Sequence, residues 1–170
     1  MHMNGGFGMI EYRKATLEDL ERIWDKKISE NPGDSRYNRW KAQFIADNAS
    51  GAAATFLVVA DGDPVGEGTL LFSPDCRAIR QRTCLCDGRR IANINNLRIE
   101  KEFEGFGHIS RLMKIMTQYA RSLGIEVLTI GVEAAETRNL GIYLHWGFDT
   151  FILSEEEDGE LVLYYGKRLG

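Results

Sequence analysis

Apolar and polar positions change period several times along the chain, and each change marks an element. Ile10 to Arg13 is a short extended run. Thr16 stands three residues before Asp19, and Leu17, Leu20, Trp24 and Ile28 then recur at helical spacing, which predicts a capped amphipathic helix. "NPGD" at 31 to 34 breaks it, and Tyr37, Trp40, Phe44 and Ile45 mark a second helix whose aromatic stripe reads as core packing. "TFLVVA" (55 to 60) and "PVGEGTLLF" (64 to 72), joined across Asp61, Gly62 and Asp63, form a predicted hairpin. After the polar, basic stretch from Ser73 to Arg90, "IANINNLRI" (91 to 99) reads as a strand. Asn95, Leu97 and Ile99 share one face of it and Ile94, Asn96 and Arg98 the other. A third helix carries Ile109, Leu112, Met113, Met116, Tyr119, Ala120 and Leu123 on one face and closes at Gly124. "IEVLTIGVE" (125 to 133) is a nearly continuous apolar strand, the pattern of a strand covered on both faces. A last helix with Leu140, Tyr143 and Leu144 ends at Gly147. "FDTFIL" and "ELVLYYGK" then form a hairpin about the acidic turn "SEEEDG".

The totals add limits to this outline. A chain of 170 residues supports one well-buried core, so residues 10–170 are expected to form a single domain, with 1–9 read as a leader or cloning remnant. Apolar residues at 44% and charged residues at 27% describe an ordinary globular protein. The net charge of -4 argues against a nucleic-acid partner, which needs clustered cations, and suits small cationic ones. Arg77, Arg80, Arg82, Arg89 and Arg90 do gather in one stretch, but Asp75 and Asp87 interrupt them, and the stretch reads as a solvated loop. Cys76, Cys84 and Cys86 lack a nearby histidine and read as reduced thiols with no metal. With no apolar run near the roughly 20 residues of a membrane span, no membrane association is expected and the cytoplasm is the expected compartment.

Residues 102 to 113, "EFEGFGHISRLM", concentrate the candidate chemistry. Strand, glycine turn, helix is the geometry that aims free backbone N–H groups and the positive end of a helix dipole at an anion. Glycine turns also serve simply as connectors. A Walker loop is excluded because no Gly-Lys-Ser/Thr follows. A dinucleotide fingerprint is nearly matched by Gly105, Gly107 and Ser110, but the hairpin-rich N-terminal half is the wrong context for it. His108 in the first turn is expected to face solvent, with a positive contact to a ligand as the alternative.

The order strand, two helices, hairpin, strand, glycine turn, helix, strand, helix, hairpin resembles the GNAT family, the Gcn5-related N-acetyltransferases. The resemblance spans Ile10 to about Lys167 and is strongest in "NLRIEKEFEGFGHISRLM" and "NLGIYLHWGF". It implies an α+β, three-layer fold: a mixed, mostly antiparallel central sheet with a splayed parallel strand pair, flanked by helices. It also implies acetyl-CoA as co-substrate and a primary amine of a small molecule or peptide as acceptor. Leu97, Arg98 and Ile99 would bond pantetheine through the backbone. Glu104, Gly105, Phe106, Gly107, His108, Ile109 and Ser110 would surround the pyrophosphate, and Glu136 and Tyr143 would lie near the cofactor. The family pattern has a cation or amide where Glu104 stands, a small residue at Ile109 and often asparagine at Glu136.

Acetyl transfer needs a neutral amine, a polarised thioester carbonyl and a proton for the departing thiolate. The resemblance implies Tyr143 as the proton donor. Glu133, at the end of a buried strand where desolvation raises a carboxylate's pKa, is the first candidate base, with a helix-capping role as its alternative; Glu67 is the second base candidate. A non-catalytic acyl-CoA-binding or regulatory module is the alternative function, and a pure interaction domain a third. The acidic run "EEED" at 155 to 158 reads as a solvated hairpin tip, with attraction of a polyamine as its alternative, and exposed strand edges allow a homodimer.

Overall fold

The computed structural model describes residues 2, 3 and 8–170. Its strands are β1 (His2–Met3), β2 (Met9–Lys14), β3 (Ala53–Ala60), β4 (Asp63–Leu71), β5 (Ile91–Ile99), β6 (Val127–Glu133), β7 (Thr150–Glu157) and β8 (Glu160–Arg168). The helices are α1 (Leu17–Glu30), α2 (Arg36–Ser50), α3 (His108–Ser122) and α4 (Thr137–His145), with a 3-10 turn at Lys101–Phe103. The strands join one mixed sheet in the order β1-β2-β3-β4-β5-β6-β8-β7. β5 and β6 pair in parallel, while β1 with β2, β2 with β3, β6 with β8 and β7 with β8 are antiparallel. Of the segment expected to be a leader, residues 1 and 4–7 lie outside the described residues, and Met9 already belongs to β2.

The chain packs as two compact units that alternate along the sequence. One comprises Met1–Thr69 and Asn96–Thr117, the other Leu70–Asn95 and Gln118–Gly170.

In the first unit, α1 begins with both halves of a capping box: Asp19 N–H donates to Thr16 Oγ1 at 3.1 Å and Thr16 N–H to Asp19 Oδ2 at 2.8 Å. Leu20 and Trp24 enter the core, and the Trp24 ring meets Phe44 of α2 at 5.5 Å. No residue of α2 is fully buried, so its aromatic stripe covers the core from a half-exposed position. β3 is buried throughout. It turns into β4 across Asp61 and Gly62, whose φ angles of 49° and 85° give the left-handed pair that a two-residue hairpin needs. Gly68 packs closely: a Cβ there would lie 2.8 Å from the Met116 sulfur and 2.9 Å from a Leu97 methyl, so those side-chain ends would have to shift.

In the second unit, β6 is nearly continuous in burial and pairs with β8 from Val127↔Arg168 to Glu133↔Val162. Two expectations are corrected here. The basic stretch is a loop that is solvated only in part: Arg77, Arg80, Arg89 and Arg90 are exposed, but Cys76, Ile79, Leu85 and Cys86 are buried, and Arg82 lies 3.4 Å from Glu155 and 3.5 Å from Glu157. Nor are residues 155–157 a hairpin tip, since β7 runs through Glu157 and the turn is only Asp158 and Gly159, at φ 52° and 83°. The guanidiniums offset the carboxylate repulsion that made the run look like a turn.

All three cysteines are free, and burial pushes the Cys86 thiol up to about 11. Among the described residues no helix is long and apolar enough to cross a membrane.

Candidate active site

The turn into α3 takes its shape from two glycines. Gly105 and Gly107 have φ of 85° and 80°, a region that costs any residue with a Cβ, and a Cβ on either would meet nothing within 4 Å. They are therefore required by backbone conformation, and the space beside them is open. The first helical bond runs from Arg111 N–H to Gly107 C=O at 3.1 Å, so the amides of His108, Ile109 and Ser110 have no helical acceptor. Phe106 and Glu104 are exposed beside the turn, and Ile109 and Ser110 are half-buried.

His108 corrects the expectation that it faces solvent. Only 1% exposed, it turns inward, and Nδ1 shares a hydrogen bond of 2.6 Å with Tyr12 Oη of β2. Phe103 and Phe106 complete an aromatic wall, and Nε2 is buried with no hydrogen-bond partner among the described residues. Burial, with a smaller contribution from Arg111, holds the imidazole below its usual pKa. A neutral ring here adds no positive contact for an anion.

Glu67 on β4 is 4% exposed and gathers three donors on a single oxygen. Lys27 Nζ of α1 lies 2.9 Å from Oε1, Asn96 Nδ2 2.6 Å and Arg98 Nε 2.9 Å. Asn96 holds φ of 56°, a costly angle in a strand for a non-glycine residue, and its bond to Glu67 helps to fix it. The parallel pairing of β5 and β6 runs from Ile91↔Val127 to Ile94↔Ile130, so the left-handed residue follows just after the pairing. Burial lowers the Lys27 pKa while Glu67 opposes that shift, and its ammonium also sits 4.6 Å over the Trp24 ring. Sequence reading picked out Glu67 and Arg98 but missed Lys27 and Asn96. Lys27 carried a signal, since it continues the apolar stripe of Leu20 and Trp24; Asn96 carried none.

In the second unit, Glu133 is exposed at the end of β6, which removes the burial that was to make it a base. Its carbonyl accepts from Glu136 N–H at 2.9 Å, and Glu136, not Ala135, is the N-cap residue of α4. The Glu136 side chain makes no cap bond and instead accepts from Asn139 Nδ2 at 2.7 Å. Tyr143 is half-buried on α4 with its ring 6.0 Å from Trp146, and burial together with Glu136's charge raises its pKa. Glu155 and Glu157, considered for a polyamine, are engaged by arginines instead. Tyr164 Oη donates to Glu157 at 2.5 Å, and burial and that carboxylate push the phenol up to about 12.

Comparison with known proteins fixes the class. A sequence profile of the acetyltransferase (GNAT) family matches residues 15–148, and the chain belongs to that family. No curated protein matches the sequence. Among solved structures, the chain is similar to an acetyltransferase of the GNAT family from Streptococcus pneumoniae, with 17% identity, a TM-score of 0.68 and coverage of 95% of this chain and 100% of that one. It is also similar to YncA, a protein from Salmonella typhimurium described as an acetyltransferase and solved with its cofactor acetyl-CoA: 12% identity, TM-score 0.69, coverage 96% and 95%. A third is the PaiA N-acetyltransferase of Thermoplasma acidophilum in complex with coenzyme A, at 15% identity, TM-score 0.62 and coverage 95% and 99%. At these identities the likenesses establish the fold.

Proposed function

We propose that this chain moves an acetyl group from acetyl-CoA directly to a primary amine of a small molecule or peptide. The turn into α3 carries the reading: two glycines in left-handed geometry, open space beside them, and three amides without helical acceptors. Such amides suit a pyrophosphate. Support for the ligand also comes from the family and from the two relatives solved with acetyl-CoA or coenzyme A. Leu97, Arg98 and Ile99 are assigned the pantetheine arm through their backbone groups.

In the reaction, the amine nitrogen attacks the thioester carbonyl carbon, the C–N bond forms and the C–S bond breaks. The nitrogen loses a proton and the thiolate gains one. Tyr143 is assigned as the donor from its place in the "YLHWGF" stretch that resembles the family's tyrosine helix, and a phenol carries its proton at neutral pH. The nitrogen's proton passes to water, because Glu133, exposed at the end of β6, lacks the burial for which it was considered as a base. Glu67, held by three donors, is assigned the positioning of β5.

The test is acetyl-CoA consumption across a panel of amines by the unaltered protein and by Tyr143→Phe. Loss of a donor that acts only in the transition state lowers kcat about a hundredfold and leaves acetyl-CoA affinity nearly unchanged. Comparable turnover by the variant removes Tyr143 from the mechanism. Acetyl-CoA binding without transfer to any amine favours the non-catalytic module instead.

A further inference from the structure

The cluster around Glu67 leaves one edge of a guanidinium unused. Arg98 spends Nε on Glu67 Oε1 at 2.9 Å, and its side chain is 56% exposed. A guanidinium docked through Nε presents Nη1 and Nη2 as a fork matched to the two oxygens of a carboxylate. Among the described residues none engages that fork. Its direction is set on two sides: Glu67 is itself held by Lys27 and Asn96, and the left-handed backbone of Asn96 is the kind of strain found where a site is being shaped.

The fork borders a space of suitable form. Arg98, Lys27 and Glu67 line a small cavity of about 70 Å³, large enough for a carboxylate-sized group, together with Pro64, Val65 and Ile23. A second cavity of about 640 Å³ shares Ile23, Lys26, Pro64, Val65 and Glu100 as walls and adds Phe103 and Arg22, with room for the rest of a small acceptor. Lys26 is 3.6 Å from Glu100, and Glu30 also borders the small cavity, so the charges of its walls roughly cancel. What the site offers an anion is the directed, unspent hydrogen-bonding capacity of Arg98 rather than an excess of charge.

The geometry points to a carboxylate-bearing acceptor, an amino acid or the C-terminal carboxylate of a short peptide, held by the Nη edge of Arg98 while its amine is acetylated. This rests on the acetyl-transfer reading. It adds a specificity-determining side chain at a position whose backbone was assigned only to the cofactor.

Equilibrium binding tests it without requiring turnover. The protein is first titrated with desulfo-CoA, then the saturated complex with matched pairs of amines: amino acids and dipeptides against their decarboxylated or C-terminally amidated counterparts. The unaltered protein binds the carboxylated members at least tenfold more tightly. Arg98→Gln abolishes that preference, read as the ratio of affinities within each matched pair at saturating desulfo-CoA, while Arg98→Lys restores part of it. Both variants melt within a few degrees of the parent, because Lys27 and Asn96 still donate to the buried Glu67. Equal binding of both classes, a preference that survives Arg98→Gln, or no binding of any carboxylated amine overturns the inference and leaves the acetyl-transfer reading standing if desulfo-CoA binds. Failure of desulfo-CoA itself to bind counts against the acetyl-transfer reading and is read separately, in the first titration.

Discussion

Tyr12 and His108, 96 positions apart, share a hydrogen bond of 2.6 Å that ties β2 to the first residue of α3. Protonating the imidazole puts a hydrogen on both ring nitrogens, and the buried Nε2 has no acceptor among the described residues. The folded protein therefore resists protonation at His108, whose pKa is lowered by burial and then by Arg111. A lowered folded pKa means that the unfolded chain binds more protons once the pH drops below the ordinary histidine value of about 6.5. Stability is complete above that value and falls as the pH moves down toward the folded pKa. Thermal melts between pH 8 and pH 5 should show this slope, and Tyr12→Phe/His108→Leu should remove the part due to His108. Tyr12→Phe alone should cost about 1–2 kcal/mol at pH 7, because it leaves Nδ1 without its partner. An unchanged slope in the double variant contradicts the assignment.

Gly131 and Tyr164 face each other across β6 and β8 with no room for a methyl group. A Cβ at Gly131 would stand 2.7 Å from the Tyr164 ring, which is itself fixed by Glu157 and by Arg82 at 3.2 Å. Gly131→Ala should therefore destabilise the fold by about 1–3 kcal/mol, as overpacking generally does. Denaturant unfolding measures it, and a neutral result means that the ring has freedom to move.

Glu104 holds a carboxylate at the mouth of the glycine turn, exposed and without an ion-pair partner among the described residues. Its charge opposes an incoming pyrophosphate from a distance over which salt screens the interaction. Glu104→Gln should tighten acetyl-CoA binding several-fold at low ionic strength, with the gain shrinking as salt rises. A gain independent of salt would indicate an effect other than charge.

The sequence made the fold legible wherever local signals agreed. Thr16 and Asp19 announced the start of α1, Asp61 and Gly62 the first hairpin, and Gly124 and Gly147 the ends of α3 and α4. It misled where a residue's partner lies far along the chain. The glutamates of β7 looked like a turn because the arginine that offsets their charge is more than seventy positions away. Ser73 to Arg90 looked wholly solvated for the same reason, although Cys76, Ile79, Leu85 and Cys86 were the visible sign of its buried part. At the site, the glycine turn could be read directly, because positive φ demands glycine. The inward turn of His108 could not, since only Tyr12 and the aromatic wall make a buried imidazole tolerable. Glu133 looked buried because it ends an apolar strand, yet strand ends emerge into solvent.

The central claim is that the turn at Gly105 and Gly107 holds acetyl-CoA, and isothermal titration of acetyl-CoA into the unaltered protein and Gly107→Val tests it most directly. A branched side chain at φ of 80° forces the turn to rearrange and its amides to point elsewhere. The account predicts micromolar binding to the parent and at least a tenfold loss in a variant that keeps its folded circular dichroism. No heat from the parent, or equal affinity in a folded variant, would contradict it.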